Sequence, residues 1–232
     1  MNAGRTARER ARAELTEEIK NEARRQLRIE GPAALSLRAV ARELGMVSSA
    51  LYRYFRNRDE LLTALITDAY RALGAAAEQA VATVPAEDHR DRWRACWHAA
   101  RDWAVAHPHE YALIYGSPVP GYHAPGDTIA AARRLVLVLL GVLRDGHAAG
   151  RLRPLARVKL PGGLAGQLDA LIAEFAPELS RELFARLLSA WTQLFGAISF
   201  ELFGHYVGSV DPSADFFAYL IEDLADQVGL PA

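Results

Sequence analysis

The 232-residue chain has a single cysteine, Cys96, so no disulfide can close within it and a reducing compartment is the expected setting. Long apolar runs are missing too. The longest extends from Leu135 to Leu143, far short of the roughly 20 residues a membrane-spanning helix needs. The first residues carry Arg5, Arg8, Arg10 and Arg12 and lack the apolar stretch of a secretory signal, so a cytoplasmic location with no membrane is expected. No segment alternates with period two, which argues against a sheet and for an all-α fold. The punctuation of catalysis is equally scarce. There is no Gly-x-Ser-x-Gly elbow and no His-Glu-x-x-His pair. Gly162-Gly163-x-x-Gly166 follows no strand, so it is no phosphate loop. His107 and His109 straddle a proline with no cysteine or third histidine nearby. Neither an enzyme, a metal site nor a cofactor is expected.

Net charge is also nearly absent, at −1, but its distribution is uneven. Residues 1–60 hold thirteen Lys/Arg against nine Asp/Glu, and residues 61–232 hold fourteen against nineteen. A basic front on an acidic body suits a protein that offers one end to phosphates.

What is present is concentrated between Leu35 and Leu62. Leu37, Val40, Ala41 and Leu44 recur at i, i+3, i+4 and i+7, giving a short helix with one apolar face. Ser36 is placed to cap its start, and Gly45 to end it. A second helix is predicted from about Ser48 to Phe55, burying Ala50, Leu51 and Phe55. Its outward face carries Ser48, Ser49, Tyr52, Arg53 and Arg56. Two short helices across a glycine turn, the second showing hydroxyls and arginines, form a helix-turn-helix pattern.

The run Leu51-Tyr52-x-Tyr54-Phe55-x-Asn57-Arg58-x-x-Leu61-Leu62 resembles the DNA-binding domain of TetR-type (TetR/AcrR) transcriptional regulators. The likeness extends over about residues 14 to 65, and over the remainder in helix count and length. It implies an N-terminal three-helix DNA-binding domain, residues 1–62, and a larger helical ligand-binding and dimerisation domain, residues 63–232. Tyr54 matches a position that binds phosphate in the family, and Arg58 matches the usual lysine at the start of the fourth helix. One position departs from the pattern. Where relatives commonly have Ser or Thr capping the recognition helix, this chain has Val47. Either the helix begins one residue later, on Ser48, or Val47 contributes its backbone and a buried side chain.

By residue type and family position, Arg53 is the expected base reader, its fork matching guanine O6 and N7. Ser48, Ser49 and Tyr52 are expected on phosphate or sugar, which fix register but not sequence. Ser36 and Arg38 are further phosphate candidates. Residues 1–14 form either a disordered tail or a basic arm reaching phosphates or the minor groove.

A helix from about Thr16 to Ile29, ended by Gly31-Pro32, braces this head. A longer one from Arg58 to about Val81 runs on into the body, making it the natural mechanical link between the two. Further helices are expected at about 88–107, 109–115, 127–149 and 162–175, with the Gly- and Pro-rich stretch 116–126 as a loop. The last two are placed at about 178–206 and 212–228. The first of them is apolar around most of its circumference, including Trp191, Phe195, Phe200 and Phe203, so it needs partners on both sides. A second copy packed in a two-fold four-helix bundle is the simplest partner, and the resemblance also implies a homodimer through these two helices.

Candidate ligand-contacting residues in the body are Trp93, Trp97, Arg101, Tyr111, Tyr115, Phe184, Trp191 and Phe195, since effector pockets are mostly apolar with a few placed polar groups. His98 with Asp102 reads as a polar anchor or a surface pair. Glu201 and His205 can pair together, cross a dimer interface or line a pocket. The partners expected are double-stranded operator DNA, a small-molecule effector and a second copy of the chain, in a repressor released from a palindromic operator. The alternative is a helical small-molecule-binding protein whose DNA head is vestigial or binds a protein.

Overall fold

In a computed structural model, residues 3–126, 128–155 and 159–232 are described, with side chains from Thr6 onward. Met1, Asn2, the side chain of Arg5 and the expected helix start at Asp127 lie outside the described residues. Among the described residues there are eleven α-helices, one 3-10 turn and no strand. The fold is all-α, as the absence of period-two alternation requires.

The chain packs as two compact units, residues 1–71 with 107–132, and residues 72–106 with 133–232. The first contains α1 (Ala3–Glu30), α2 (Leu37–Glu43), α3 (Ser48–Leu51), the first half of α4 (Arg58–Ala82), α6 (Pro108–Tyr115) and α7 (Thr128–Ala132). Helix α1 starts well before Thr16, so the described part of the expected arm is helical. Residues 7–14 are all Ala, Arg, Glu or Leu, the strongest helix formers, with no glycine or proline to interrupt them. Gly31, at φ 77, ends the helix, and a 3-10 turn over Pro32–Ala34 leads into α2.

The core of this unit is assembled from one stripe of each helix. Ile19, Ala23 and Leu27 of α1 meet Val40 and Ala41 of α2, Leu51 and Phe55, and Leu61, Leu62 and Leu65 of α4. Leu113 and Val119 return from the second segment to close it. Tyr70 donates to the Ile114 carbonyl at 3.3 Å, and the hydroxyls of Thr63 and Tyr122 lie 2.9 Å apart. Across the α1–α4 seam, Asp68 accepts from Lys20 at 2.6 Å and from Arg24 at 3.0 Å. Burial alone lowers the Lys20 pKa, but Asp68 and Glu17 outweigh it and hold the ammonium above its ordinary value.

The second unit contains the rest of α4, α5 (His89–Ala106), α8 (Arg134–Ala148), α9 (Gly162–Phe175), α10 (Arg181–Leu202) and α11 (Ala214–Gln227). The single helix expected over 127–149 is divided at Arg133, whose guanidinium lies 4.9 Å over the Phe175 ring and 3.1 Å from Glu174. Helix α10 is shorter than the sequence suggests. Ser180 caps its start, accepting from the Leu183 N–H at 3.2 Å, and Gly204 at φ 77 follows its end. By length and composition α10 could span a membrane, yet Leu183, Phe184, Leu187, Leu194 and Ile198 are buried within the unit. Arg90 of α5 ties to α11 through Glu222 and Asp226, and Arg94 grips the same Glu222. A Cβ on Gly74 of α4 would stand 2.6 Å from Cβ of Arg134. The missing side chain lets α8 approach, and Arg134 then pairs with Glu78 at 2.5 Å.

Candidate nucleic-acid interface

The candidate interface is built from α2, the turn after it, and α3. Ser36 caps α2 by accepting from the Ala39 N–H at 3.5 Å, a contribution of about 1 kcal/mol for such caps. Gly45 takes φ 64, and the Met46 N–H returns to the Ala41 carbonyl at 2.8 Å, which ends the helix and turns the chain. Leu51 and Phe55 then anchor the next element in the core.

That element is shorter than the sequence predicts. Regular α-helix covers Ser48–Leu51, and the chain continues to Phe55 in tight turns, with Arg53 N–H on the Ala50 carbonyl and Tyr54 N–H on that of Leu51. Val47 is the cap residue and has no side-chain acceptor to offer the helix, so a short helix starts with unmet N–H groups. The helix begins on Ser48, and Val47, at 69% exposure, is not buried as one of the two alternatives held.

Ser48, Ser49, Tyr52 and Arg53 are exposed together on one side of this element, and Arg38 is exposed on α2. Ser36 is partly covered and its hydroxyl is occupied by the cap. Tyr54 is half-buried beneath the Arg12 guanidinium, which lies 5.1 Å from its ring centre. Arg58 turns inward rather than outward. Its Nη2 donates to the carbonyls of Pro32 at 2.8 Å and Ala33 at 3.3 Å, while its Nε is buried with no partner among the described residues. At the start of α4 the Glu60 N–H is met by Asn57 Oδ1 at 2.8 Å, and the Arg56 N–H by Glu60 Oε2 at 2.6 Å.

Two parts of the chain match families of known regulators. Residues 19–65 match the family described as bacterial regulatory proteins, tetR family, and residues 93–224 match the tetracyclin repressor-like C-terminal domain. The chain belongs to the TetR family. The HTH-type transcriptional regulators Mb1846 of Mycobacterium bovis and Rv1816 of Mycobacterium tuberculosis are each 41% identical to it over 211 residues, 90% of both chains. The crystal structure of SCO4313 is 37% identical, superposes with a TM-score of 0.75, and is covered over 98% of its length by 94% of this chain. The protein is therefore a TetR-family transcriptional regulator with an N-terminal helix-turn-helix.

In this TetR-family chain the candidate ligand residues divide between the two units. Tyr111 and Tyr115 belong to the first, with ring centres 5.2 Å apart. Burial, with Tyr70 and Tyr111 adding to it, pushes the Tyr115 hydroxyl well above its ordinary pKa. The other six belong to the second unit. There Trp93, Trp97, Phe195 and Trp191 form a continuous aromatic row, with successive ring centres 5.7, 5.9 and 5.9 Å apart. Phe184 is buried in the same core. Trp93 donates its indole N–H to the Ile221 carbonyl at 3.2 Å, whereas the buried Trp97 N–H has no acceptor among the described residues. Arg101 is committed to Glu201 through two hydrogen bonds, at 2.8 and 2.5 Å, and this pair lines a cleft of about 180 Å³ with Tyr206 and Ser213. Glu201 is thereby tied to α5. His205 is exposed beside the Phe200 ring, and His98 is exposed at the edge of Phe217. A larger cleft of about 470 Å³ lies between Leu152–Leu155, Ser180–Leu183, His147 and Val228.

Sequence reasoning placed Arg12 in a tail or arm and did not find its contact across 41 residues, where it donates to the Arg53 carbonyl at 3.2 Å. Nor did it find Asp68 as the acceptor that joins α1 to α4. Neither contact leaves a local pattern, because each partner is ordinary for an exposed helix position.

Proposed function

We propose that this protein is a homodimeric, ligand-responsive repressor, released from a palindromic operator by a small molecule. The exposed cluster of Ser48, Ser49, Tyr52 and Arg53, held from behind by buried Leu51 and Phe55, is the observation that carries the DNA-reading half. Arg53 is the base reader, and the hydroxyls of Ser48, Ser49 and Tyr52 take phosphate or sugar. Arg38 lies on the same reading surface as a phosphate ligand. Such a protein works in the cytoplasm, on chromosomal DNA.

Two features of the second unit support the remaining parts. The buried Trp97 N–H has no acceptor among the described residues, and an acceptor atom of an effector would meet it. An unmet buried donor costs about 1–3 kcal/mol, which a bound ligand would recover. Around the end of α10 and on α11, Phe200, Val207 and Tyr219 are exposed at 52%, 76% and 62%. A clustered apolar surface of this kind supports burial against a second copy. Two recognition elements would then enter successive major grooves about 34–36 Å apart.

The effector acts only as far as it binds the non-DNA state better. The test is operator affinity, measured by fluorescence anisotropy with and without compounds that bind the body by calorimetry. A compound that binds and leaves operator affinity unchanged removes the induction mechanism. For the head, Arg53→Ala should cost about 1–3 kcal/mol at one operator base pair and little on random DNA. Equal losses on both duplexes would remove Arg53 as the reader.

A further inference from the structure

We propose that Arg12 is a positioning residue of the DNA-reading surface, and that operator preference depends on it although it lies outside the helix-turn-helix. The inference rests on the reading above, in which Arg53 reads the operator.

The element that must aim Arg53 is poorly fixed by its own backbone. Its regular helix is four residues long, Ser48–Leu51, and the Val47 side chain caps nothing. A single helical turn has little stability of its own. Leu51 and Phe55 pin its buried side, but Arg53 and Tyr54 lie between these anchors, past the end of the helix, where carbonyls point away from any following turn.

Arg12 supplies the missing constraint from α1. Its Nη2 donates to the Arg53 carbonyl at 3.2 Å, while the guanidinium carbon lies 5.1 Å from the centre of the Tyr54 ring. One cation thus grips two consecutive residues, the first by its backbone and the second by its aromatic face. The guanidinium combines a donor fork with a flat, weakly hydrated surface and can do both at once, as an ammonium cannot. Helix α1 provides a rigid base, since its Ile19, Ala23 and Leu27 lie in the same core as Leu51. The extension of α1 beyond that core, over the residues where the sequence suggested a tail or an arm, carries Arg12 to the recognition turn.

A phosphate ligand and a positioning residue behave differently. Losing a phosphate ligand weakens every duplex alike and lowers the slope of log affinity against log salt by about 0.9 on B-DNA. Losing a positioning residue lowers affinity for the preferred sequence and leaves random DNA and its salt slope in place. The experiment uses the full chain and a duplex selected from a random pool by the wild-type protein. Arg12→Ala, Arg12→Gln, Arg12→Lys, Arg53→Ala and the double variant Arg12→Ala/Arg53→Ala are measured on that duplex and on a random one over a salt series, after circular dichroism has shown each to be folded.

Arg12→Ala and Arg12→Gln are expected to lower the selected-to-random ratio by about tenfold, and Arg12→Lys by less. In the Arg53→Ala background the further loss should be no more than about twofold, because the two residues act as one unit. Equal weakening on both duplexes with a shallower salt slope, or losses that simply multiply in the double variant, would overturn the proposal while leaving Arg53 as the reader. If Arg53→Ala itself leaves the ratio unchanged, the reading beneath the proposal fails and Arg12 falls with it.

Discussion

Replacing Arg58 by alanine separates two roles that the same residue can have. The family pattern puts a cation here for phosphate, yet the guanidinium is spent on the 3-10 turn between α1 and α2. The bond to the Pro32 carbonyl, at 2.8 Å, is charge-assisted and contributes about 1.5–3 kcal/mol; the one to Ala33, at 3.3 Å, contributes less. Two effects offset the loss. The Pro32 carbonyl keeps a second donor, the Leu35 N–H at 3.4 Å, and the unpartnered Arg58 Nε is removed from the interior with its desolvation cost. The net destabilisation is about 1–2 kcal/mol, which for a chain of this size lowers Tm by roughly 3–6 °C. Differential scanning calorimetry reads the first quantity and DNA binding across a salt series the second. If Arg58 braces the turn, Tm falls and the salt slope changes by less than the ~0.9 of a full phosphate contact. An unchanged Tm with the full loss of slope would refute the bracing role and return Arg58 to the phosphate.

Gly74→Ala should destabilise by about 1–3 kcal/mol, since its Cβ would meet that of Arg134, whereas Gly141→Ala, in open space on α8, should be neutral or slightly stabilising; equal urea midpoints for the two variants would contradict this. The hydrogen bonds from Arg94, aided by Arg90 and opposed by burial, hold the Glu222 carboxyl at about 2, below its ordinary 4.5. Its contribution is therefore complete above pH 4.5 and disappears as pH falls toward 2, and at 41% exposure it is on the order of 1 kcal/mol after solvent screening. Glu222→Gln should accordingly lower Tm by about 2–4 °C at pH 7, with a gap that narrows on acidification; a gap constant down to pH 3 would place the cause elsewhere. Phe200→Glu with Tyr219→Glu should convert a dimer to a monomer in light scattering and weaken operator binding at least 100-fold, through loss of two-site attachment. An unchanged mass would exclude this face as the interface.

The helix-turn-helix was legible because its determinants are local. Ser36 caps three residues ahead, Gly45 supplies the positive φ, and Leu51 and Phe55 recur at helical spacing. The length of α3 was less so: periodicity ran to Phe55, whereas the regular helix ends at Leu51 and the chain goes on in tight turns. Contacts spanning long stretches of sequence were not legible at all. Arg101 and Glu201 are 100 residues apart, and each alone fits a solvated surface or a pocket wall. The aromatic row from Trp93 to Trp191 shows the same limit in reverse, since its spacing marks burial without marking which member keeps an unmet donor.

The two-segment construction of the first unit has a consequence for its birth on the ribosome. Leu113, Ile114, Val119 and Tyr122 belong with a core whose other members end at Ile66 and Tyr70. A nascent chain that has exposed only the helix-turn-helix and α4 holds an unfinished hydrophobic surface, and it stays unfinished while all of α5 is made. Only after about forty further residues can the head seal, at roughly two to eight seconds of synthesis. The DNA-reading end, first in sequence, thus completes its core only when residues 113–122 have followed it.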